Sequence, residues 1–280
     1  MKDSNRLIWS LSILLLGLSV FLMQMTFANR LHYGYRFGLI VLLLVASLFL
    51  LHRTTSIRAG KLLYLYFVAA ASVMVAHLTG HWGLLIFGLD TSSYIGFAVA
   101  KFSESLPLVV SILILTRIAG ISTGSLYLNK GELRSGLLTG LAFLVGLSLL
   151  AIVMGGMNPL FQDKLNNAEI GNLARILPWA LLFSISNGFM EELLFRGLFL
   201  KHLESIVGFR LSNILTAAIF AVAHLQVTYA THTIGFLIVV FVFGLVLGNI
   251  MKKTNSIIAP TLIHAGADMM MIIPLFMALM

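Results

Sequence analysis

Cysteine is absent from the 280 residues of the chain, and only 10% of the residues are charged. Without cysteine the protein has no disulfides, no thiolate ligands for a metal ion and no cysteine nucleophile. An ordinary soluble domain has roughly 25% charged residues, so the scarcity of charge argues against a surface that faces water on all sides. Thiolate-metal and cysteine-dependent chemistry are therefore excluded before any motif is considered.

Apolar residues take the place of the missing charge, at 59% of the chain with a mean hydropathy of +1.01. A backbone in lipid must satisfy its own hydrogen bonds, which limits it to helices or closed barrels. Barrel strands would alternate apolar and polar residues. Here the apolar runs are continuous and about 20 residues long, enough to cross a hydrocarbon core of ~30 Å. The sequence therefore predicts an all-α fold, a polytopic transmembrane helical bundle surrounded by membrane lipid.

Nine apolar stretches are candidates for membrane spans. The second is short, and Lys101, Glu104 and Pro107 interrupt the start of the fourth, so we expect about eight to nine spans. A further apolar stretch at 81–89 is too short to cross and is interpreted as interfacial or re-entrant. The candidates cover residues 7–27, 37–51, 62–79, 94–117, 135–155, 176–200, 209–225, 231–251 and 256–279.

The distribution of lysine and arginine predicts the orientation of these spans. With the N-terminus in the cytoplasm, twelve basic residues fall in cytoplasmic segments and five in external ones, which favours an external C-terminus. The net charge of +8 then requires no nucleic-acid partner, because anionic lipid headgroups lie beside the cytoplasmic loops. The twelve are Lys2, Arg6, Arg53, Arg58, Lys61, Arg117, Lys130, Arg134, Lys201, Arg210, Lys252 and Lys253; the five are Arg30, Arg36, Lys101, Lys164 and Arg175.

Two segments bear on the organisation of the chain. The stretch 156–175, with its Asn, Asp and Gly residues, separates five N-terminal spans from four C-terminal ones. The first span has a basic start and is followed by Thr26-Phe27-Ala28, which resembles a signal-peptide cleavage site. Its apolar run is longer than that of a usual signal peptide, so we interpret it as an uncleaved anchor.

Ionisable side chains at membrane depth mark functional sites, because they are costly to place there. The five N-terminal spans contain none comparable to those of the last hundred residues, apart from the edge of the fourth. The candidates come from the sixth, seventh and ninth spans: Glu191, Glu192 and Arg196, then His224, then His264 and Asp268.

Helical spacing suggests how these groups are arranged. Glu192 and Arg196 are four residues apart, so they share a helix face and can form an ion pair, while Glu191 points about 100° away. His264 and Asp268 also share a face. Four groups from three helices can thus meet near the middle of the membrane. An alternative is that they are polar contacts that hold helices together.

The same residues resemble three motifs of the CAAX prenyl endopeptidase type II family, also called the CPBP or ABI family. EELLFR at 191–196 resembles the family's EExxxR, and FAVAH at 220–224 resembles its FxxxH. HAGAD at 264–268 is similar to its third motif, a histidine followed four residues later by Asn or Asp. The resemblance implies a catalytic helical core at 173–280 and a variable N-terminal set of helices at 1–172.

The resemblance also implies an activity, that of a glutamate-type intramembrane endopeptidase in the cell membrane of a bacterium or an archaeon. Glu191 would be the general base on a water molecule, and His224 its water-orienting partner. His264 and Asp268 would face the oxyanion. Three further residues, Glu192, Arg196 and Phe220, would support the site structurally. No metal or other cofactor is implied, and the substrate would be a peptide or a membrane protein.

The last residue of the third motif leaves alternatives open. Asp268 occupies a position where prenyl-protein proteases have Asn, and Asp donates a hydrogen bond only when protonated. It either carries a proton or orients His264. A zinc-dependent membrane protease is the second hypothesis, because Glu, His and Asp are all acceptable zinc ligands. The third is a non-catalytic immunity or scaffold protein, or a small transporter that uses the acids as a proton relay.

The predicted orientation can be tested with single cysteines, since the natural sequence has none. Cysteines in the loops 52–61 and 252–255 should resist membrane-impermeant thiol reagents in intact cells and react after lysis, because both loops are expected in the cytoplasm. A Ser92→Cys variant in the predicted external segment should react in both conditions. Rapid labelling of both loops in intact cells would reverse the orientation.

Overall fold

The structure is a computed structural model, which describes residues 3–22, 29–53, 56–157, 170–225 and 232–280. Throughout these ranges all regular secondary structure is helical, which confirms the predicted all-α fold. The helices are α1 (Asp3–Gly17, continued by a π-helical turn at Leu18–Leu22), α2 (Asn29–Leu51), α3 (Ile57–Thr79), α4 (Trp82–Phe87), α5 (Tyr94–Ile118), α6 (Leu133–Met157), α7 (Ile170–Glu191, continued by a π-helix at Glu192–Leu200), α8 (Lys201–Val207), α9 (Phe209–Ala223), α10 (Thr233–Thr254) and α11 (Ile258–Ala278).

Seven helical stretches of the described chain are long and apolar enough to cross a bilayer. Two of them join neighbouring helices, α3 with α4 and α7 with α8. The apolar helices at 5–21 and 209–223 are shorter. Seven long and two short apolar helices occupy the nine predicted places, which confirms an integral membrane protein with a helical bundle of about that size.

Several helix ends differ from the predicted span ends. The second helix begins at Asn29 instead of 37. The stretch that corresponds to the sixth predicted span, 176–200, reaches Val207 instead of 200. Hydropathy detects only the apolar part of a helix, whereas backbone hydrogen bonding continues through polar and aromatic residues at its ends. Most of the predicted break at 156–175 and the Thr26-Phe27-Ala28 sequence lie outside the described residues.

The helix that contains both glutamates changes its geometry between them. α7 ends at Glu191, and a π-helix begins at Glu192 and continues to Leu200. The predicted α-helical geometry is therefore wrong for 192–200. A run of mostly apolar residues has no periodicity that separates the two helix types. At the last residue of the π-helix, the Leu200 carbonyl accepts a hydrogen bond from the Ser212 hydroxyl at 2.7 Å. π-Helical segments occur frequently at functional sites.

The chain divides into two compact units. The first comprises residues 1–74, 111–128 and 193–249, and the second comprises 75–110, 129–192 and 250–280. Both units therefore include residues from either side of the predicted boundary at 172/173, and that boundary remains a prediction.

The first unit is held together by aromatic side chains and by hydrogen bonds to helix carbonyls. The Tyr66 hydroxyl donates to the Ile13 carbonyl at 2.7 Å, and the Tyr66 ring lies 4.8 Å from that of Phe199. Asn213 donates from Nδ2 to the Leu245 carbonyl at 3.0 Å, which links α9 to α10. These two buried side chains thus use backbone carbonyls as partners, as expected in a low-dielectric interior.

The second unit packs α6 and α7 against α11, its most buried span. The shared core is aliphatic and aromatic, with Phe183 from α7 and Phe276 from α11 in T-shaped contact at 6.4 Å. Two glycines permit close approach of the backbones. A Cβ atom on Gly188 would lie 3.0 Å from the Thr261 carbonyl oxygen, and one on Gly266 would lie 3.0 Å from the Leu144 Cα. Small residues at helix contacts are typical of membrane bundles.

Gly188 thus sets the distance between α7 and α11. Gly188→Val should lower the free energy of unfolding by about 1–3 kcal/mol, because the new side chain has no room beside the α11 backbone. The matched control is Gly146→Val in the middle of α6, where nothing lies within 4 Å of the added Cβ atom. Thermal unfolding in detergent measures both. Equal midpoints for the two variants would contradict close packing at Gly188.

Candidate active site

A buried histidine on α11 lies between the two adjacent glutamates of α7. His264 Nδ1 is 2.9 Å from Glu192 Oε1, and His264 Nε2 is 3.5 Å from Glu191 Oε2. An ionised carboxylate can only accept, so with Glu192 ionised the Nδ1–H of His264 donates this hydrogen bond. This hydrogen bond fixes the ring orientation and directs Nε2 towards Glu191.

Asp268 completes this group one helical turn beyond His264. Its Oδ1 lies 3.9 Å from His264 Nε2, which is an electrostatic contact and not a hydrogen bond. The other oxygen, Oδ2, accepts a hydrogen bond from Asn187 Nδ2 at 3.0 Å. Asp268 is therefore held by α7 as well as by its own helix, and Nε2 faces carboxylates from both helices.

Asn187 is the residue that sequence reasoning missed. It lies on α7 four residues before Glu191, on the same helix face, and its side chain is nearly buried. A polar residue one turn from a candidate base is a weak signal, because Asn also occurs as an ordinary contact between membrane helices. Only the packing of α7 on α11 shows that its partner is Asp268.

Glu191 and Glu192 differ in their surroundings. The Glu192 side chain is 0% exposed and has a close hydrogen bond to His264, whereas the Glu191 side chain is 16% exposed and lies farther from the ring. Glu192 is thus enclosed by protein, and Glu191 retains access to a small molecule such as water. The predicted division between a supporting and a reacting carboxylate remains a prediction.

The other three motif residues, Arg196, Phe220 and His224, lie in the first unit. The Phe220 ring lies 4.1 Å from Arg196 Cζ in a cation–π contact, and 4.5 Å from the His224 ring. His224 Nδ1 lies 2.8 Å from the Phe220 carbonyl oxygen. A carbonyl only accepts, so Nδ1 is the donor of this hydrogen bond.

The motif phenylalanine is part of a buried aromatic cluster, and its predicted supporting role remains a prediction. Phe220 is 1% exposed, and its ring is enclosed by Phe195 as well as by the cation and the imidazole. An added Cβ atom on Gly244 would lie 2.8 Å from Arg196 Nη2, so α10 leaves space for the guanidinium. The ion pair predicted between Glu192 and Arg196 remains a prediction.

The structure thus brings together Glu191, Glu192, His264 and Asp268 in the second unit. Zinc accepts ligands of the kinds that three of these residues provide: His264 Nε2, Glu191 and Asp268. Metal-bound histidines also commonly donate a hydrogen bond from the second ring nitrogen, as Nδ1 does here to Glu192. Within the described residues, however, no cluster of three or more such side chains has the convergence of a metal site. The donors therefore fit a metal chemically but are not arranged around one point.

The buried side chains of Glu192 and His264, with Glu191 and Asp268 beside them, form a polar centre on helices apolar enough to span a membrane. Residues 173–270 match the family model described as Rce1-like, type II CAAX prenyl endopeptidase. The match covers the segment that carries the three motifs, which confirms the resemblance inferred from them. Searches of curated proteins and of solved structures gave no match.

The hydrogen bond between Glu192 and His264 is accessible to a conservative test. Glu192→Gln keeps the shape of the side chain but removes its charge, so the free energy of unfolding should fall by about 1.5–3 kcal/mol, the range for a hydrogen bond to a charged group. Glu191→Gln is the matched control next to it and should cost less than about 1 kcal/mol. Thermal unfolding of both variants in the same detergent compares them, and equal losses would contradict a supporting role specific to Glu192.

Proposed function

We propose that the protein is an intramembrane endopeptidase of the type that processes CAAX proteins or bacteriocin peptides, with Glu191 as general base on water. The observation that supports this most strongly is the placement of one imidazole between two non-equivalent glutamates, within the segment that matches the family. The enclosed glutamate orients the ring, and the accessible one is available to a substrate water.

The proposed reaction begins with proton transfer from water to Glu191 as the water oxygen attacks the peptide carbonyl. The C–O bond forms, and the carbonyl electron pair moves onto oxygen to give a tetrahedral oxyanion. The Nε2–H group of His264 donates a hydrogen bond to this oxyanion. A preorganised donor at this position stabilises the transition state. Glu191 then returns its proton to the amine as the C–N bond breaks, so the base is regenerated.

His224 is proposed to hold the attacking water. Its Nδ1 lies against the Phe220 carbonyl oxygen at 2.8 Å, a contact that fixes the orientation of the imidazole ring. The assignment of this role follows the FxxxH motif. Glu192, with Arg196 and Phe220 as further support, would keep the ring and the helix in place and take no part in bond making.

The charges around His264 suggest a protonation state for Asp268. Like charges within a few ångströms in a low dielectric do not both stay ionised unless a cation joins them. We propose that a proton is shared in this group, with Glu191 ionised as base and with Asp268 or His264 Nε2 as donor, so that no metal is required. In the zinc alternative the ion would keep both carboxylates ionised and His264 neutral.

Two variants and a chelator separate these mechanisms. With purified protein in lipid nanodiscs, the probes are a farnesylated peptide ending in a CAAX sequence and the same peptide without the farnesyl group. Glu191→Gln should reduce turnover at least about 100-fold, in the range that general-base catalysis contributes. Asp268→Asn should stay within about tenfold of the natural protein, because Asn supplies the donor permanently. Strong chelators should have no effect.

The zinc mechanism predicts the opposite on two points. Chelation would abolish cleavage and added zinc would restore it, and Asp268→Asn would be inactive because an amide is a poor zinc ligand. Hydrolysis of neither probe, or hydrolysis that Glu191→Gln leaves unchanged, would overturn the proposed function. A difference between the two probes would show whether the enzyme requires a prenyl group.

A further inference from the structure

Lys101 lies in the second unit on α5, outside the segment 173–270 that matches the family. Its Nζ is 2.7 Å from Glu104 Oε2, one turn along the same helix, and the two side chains are 22% and 47% exposed. Exposed pairs of this kind contribute little to stability. A surface ion pair is thus the ordinary explanation for a lysine at the start of a membrane span, and it accounts for one neighbour of the ammonium group.

The packing of α5 gives Lys101 a second set of neighbours. One turn before it, Phe97 stacks on Phe183 of α7 with ring centroids 5.5 Å apart, and meets Phe276 of α11 at 6.1 Å. Lys101 Nζ itself lies 5.8 Å from the Phe183 ring. This aromatic cluster therefore holds α5 against the two helices that provide Glu191, His264 and Asp268.

Helical register then places the ammonium group beside the candidate site. Phe97 and Lys101 share a face of α5, and Phe183 and Asn187 share a face of α7, because each pair is four residues apart. Asn187 in turn donates to Asp268 at 3.0 Å. In agreement with this register, the ammonium group interacts electrostatically with the carboxylates of Glu191 and Asp268 as well as with Glu104.

We propose that Lys101 is a positioning residue for the reaction, which supplies from α5 the fixed positive charge that allows Glu191 to be ionised beside Asp268. This inference rests on the proposed function of that site. Three carboxylates surround His264, and the single positive charge of a protonated imidazole does not neutralise all three. A lysine close by lowers the free energy of ionised Glu191 beside Asp268 without entering the bond-making steps. The segment outside the family match would therefore contribute a charge to the reaction.

Removal of this charge should shift the pH dependence of cleavage. Lys101→Met should move the acid limb of the kcat/KM profile to higher pH by about 1 unit, because Glu191 and Asp268 then ionise less readily together. Lys101→Arg keeps the charge and should restore the natural profile. The charged groups that interact with the ammonium are Glu104 on α5, Glu191 on α7 and Asp268 on α11.

Glu104→Gln is the matched control, because it breaks the same surface pair from the other side. It removes a negative charge, so the acid limb should stay in place or move to lower pH, opposite to Lys101→Met. A shift in the same direction in both variants would show that the intact pair matters and not the lysine charge, and would overturn the proposal. An unchanged profile for Lys101→Met would overturn it as well.

A stability measurement tests the proposal even if the protein cleaves neither probe, in which case the proposed function fails separately. Lys101→Met should lower the thermal midpoint of the natural protein by more than it lowers that of Asp268→Asn, since the latter has one charge fewer to balance. Equal losses in the two backgrounds would show that Lys101 and Asp268 are not coupled, and would contradict the placement of the ammonium at the site.

Discussion

The hydrogen bond from His264 Nδ1 to Glu192 is the interaction on which the rest of the site depends. Both side chains are buried, and the donor and acceptor are 2.9 Å apart. In a low-dielectric interior such a bond is strong when it is satisfied and costly when one partner is missing. Because Nδ1 is hydrogen-bonded to Glu192, the ring orientation is fixed and Nε2 points towards Glu191 and Asp268.

This bond in turn requires that two helices approach closely. α7 and α11 meet where Gly188 lies against the backbone of Thr261 and Ala265, so no side chain separates them. At this distance short side chains such as Asn187 and Asp268 reach across and a histidine contacts two successive glutamates. The change from α-helix to π-helix between Glu191 and Glu192 occurs at the same level, where the two carboxylates take different surroundings.

Much of this arrangement was predictable from the sequence, for identifiable reasons. The apolar runs predicted the spans because hydropathy reports burial in lipid directly. Fixed motif spacing selected Glu191, Glu192, His264 and Asp268, which lie close together in the structure. The π-helix, Asn187 and the contacts of Lys101 were not predictable. Each depends on which helix faces lie together, and nearly uniform apolar composition leaves that unspecified. The earlier start of α2 and the continuation of the helix after α7 to Val207 were missed because polar residues extend a helix without adding to its hydropathy.

Coupling between Glu192 and His264 is the central claim of this account, and a double-mutant cycle measures it most directly. Thermal unfolding of Glu192→Gln, His264→Gln and the double variant would be compared with the natural protein in the same detergent. Residues in direct contact show interaction free energies of about 0.5–3 kcal/mol, so the double variant should lose less stability than the two single losses added together. Strict additivity of the two losses would contradict the account.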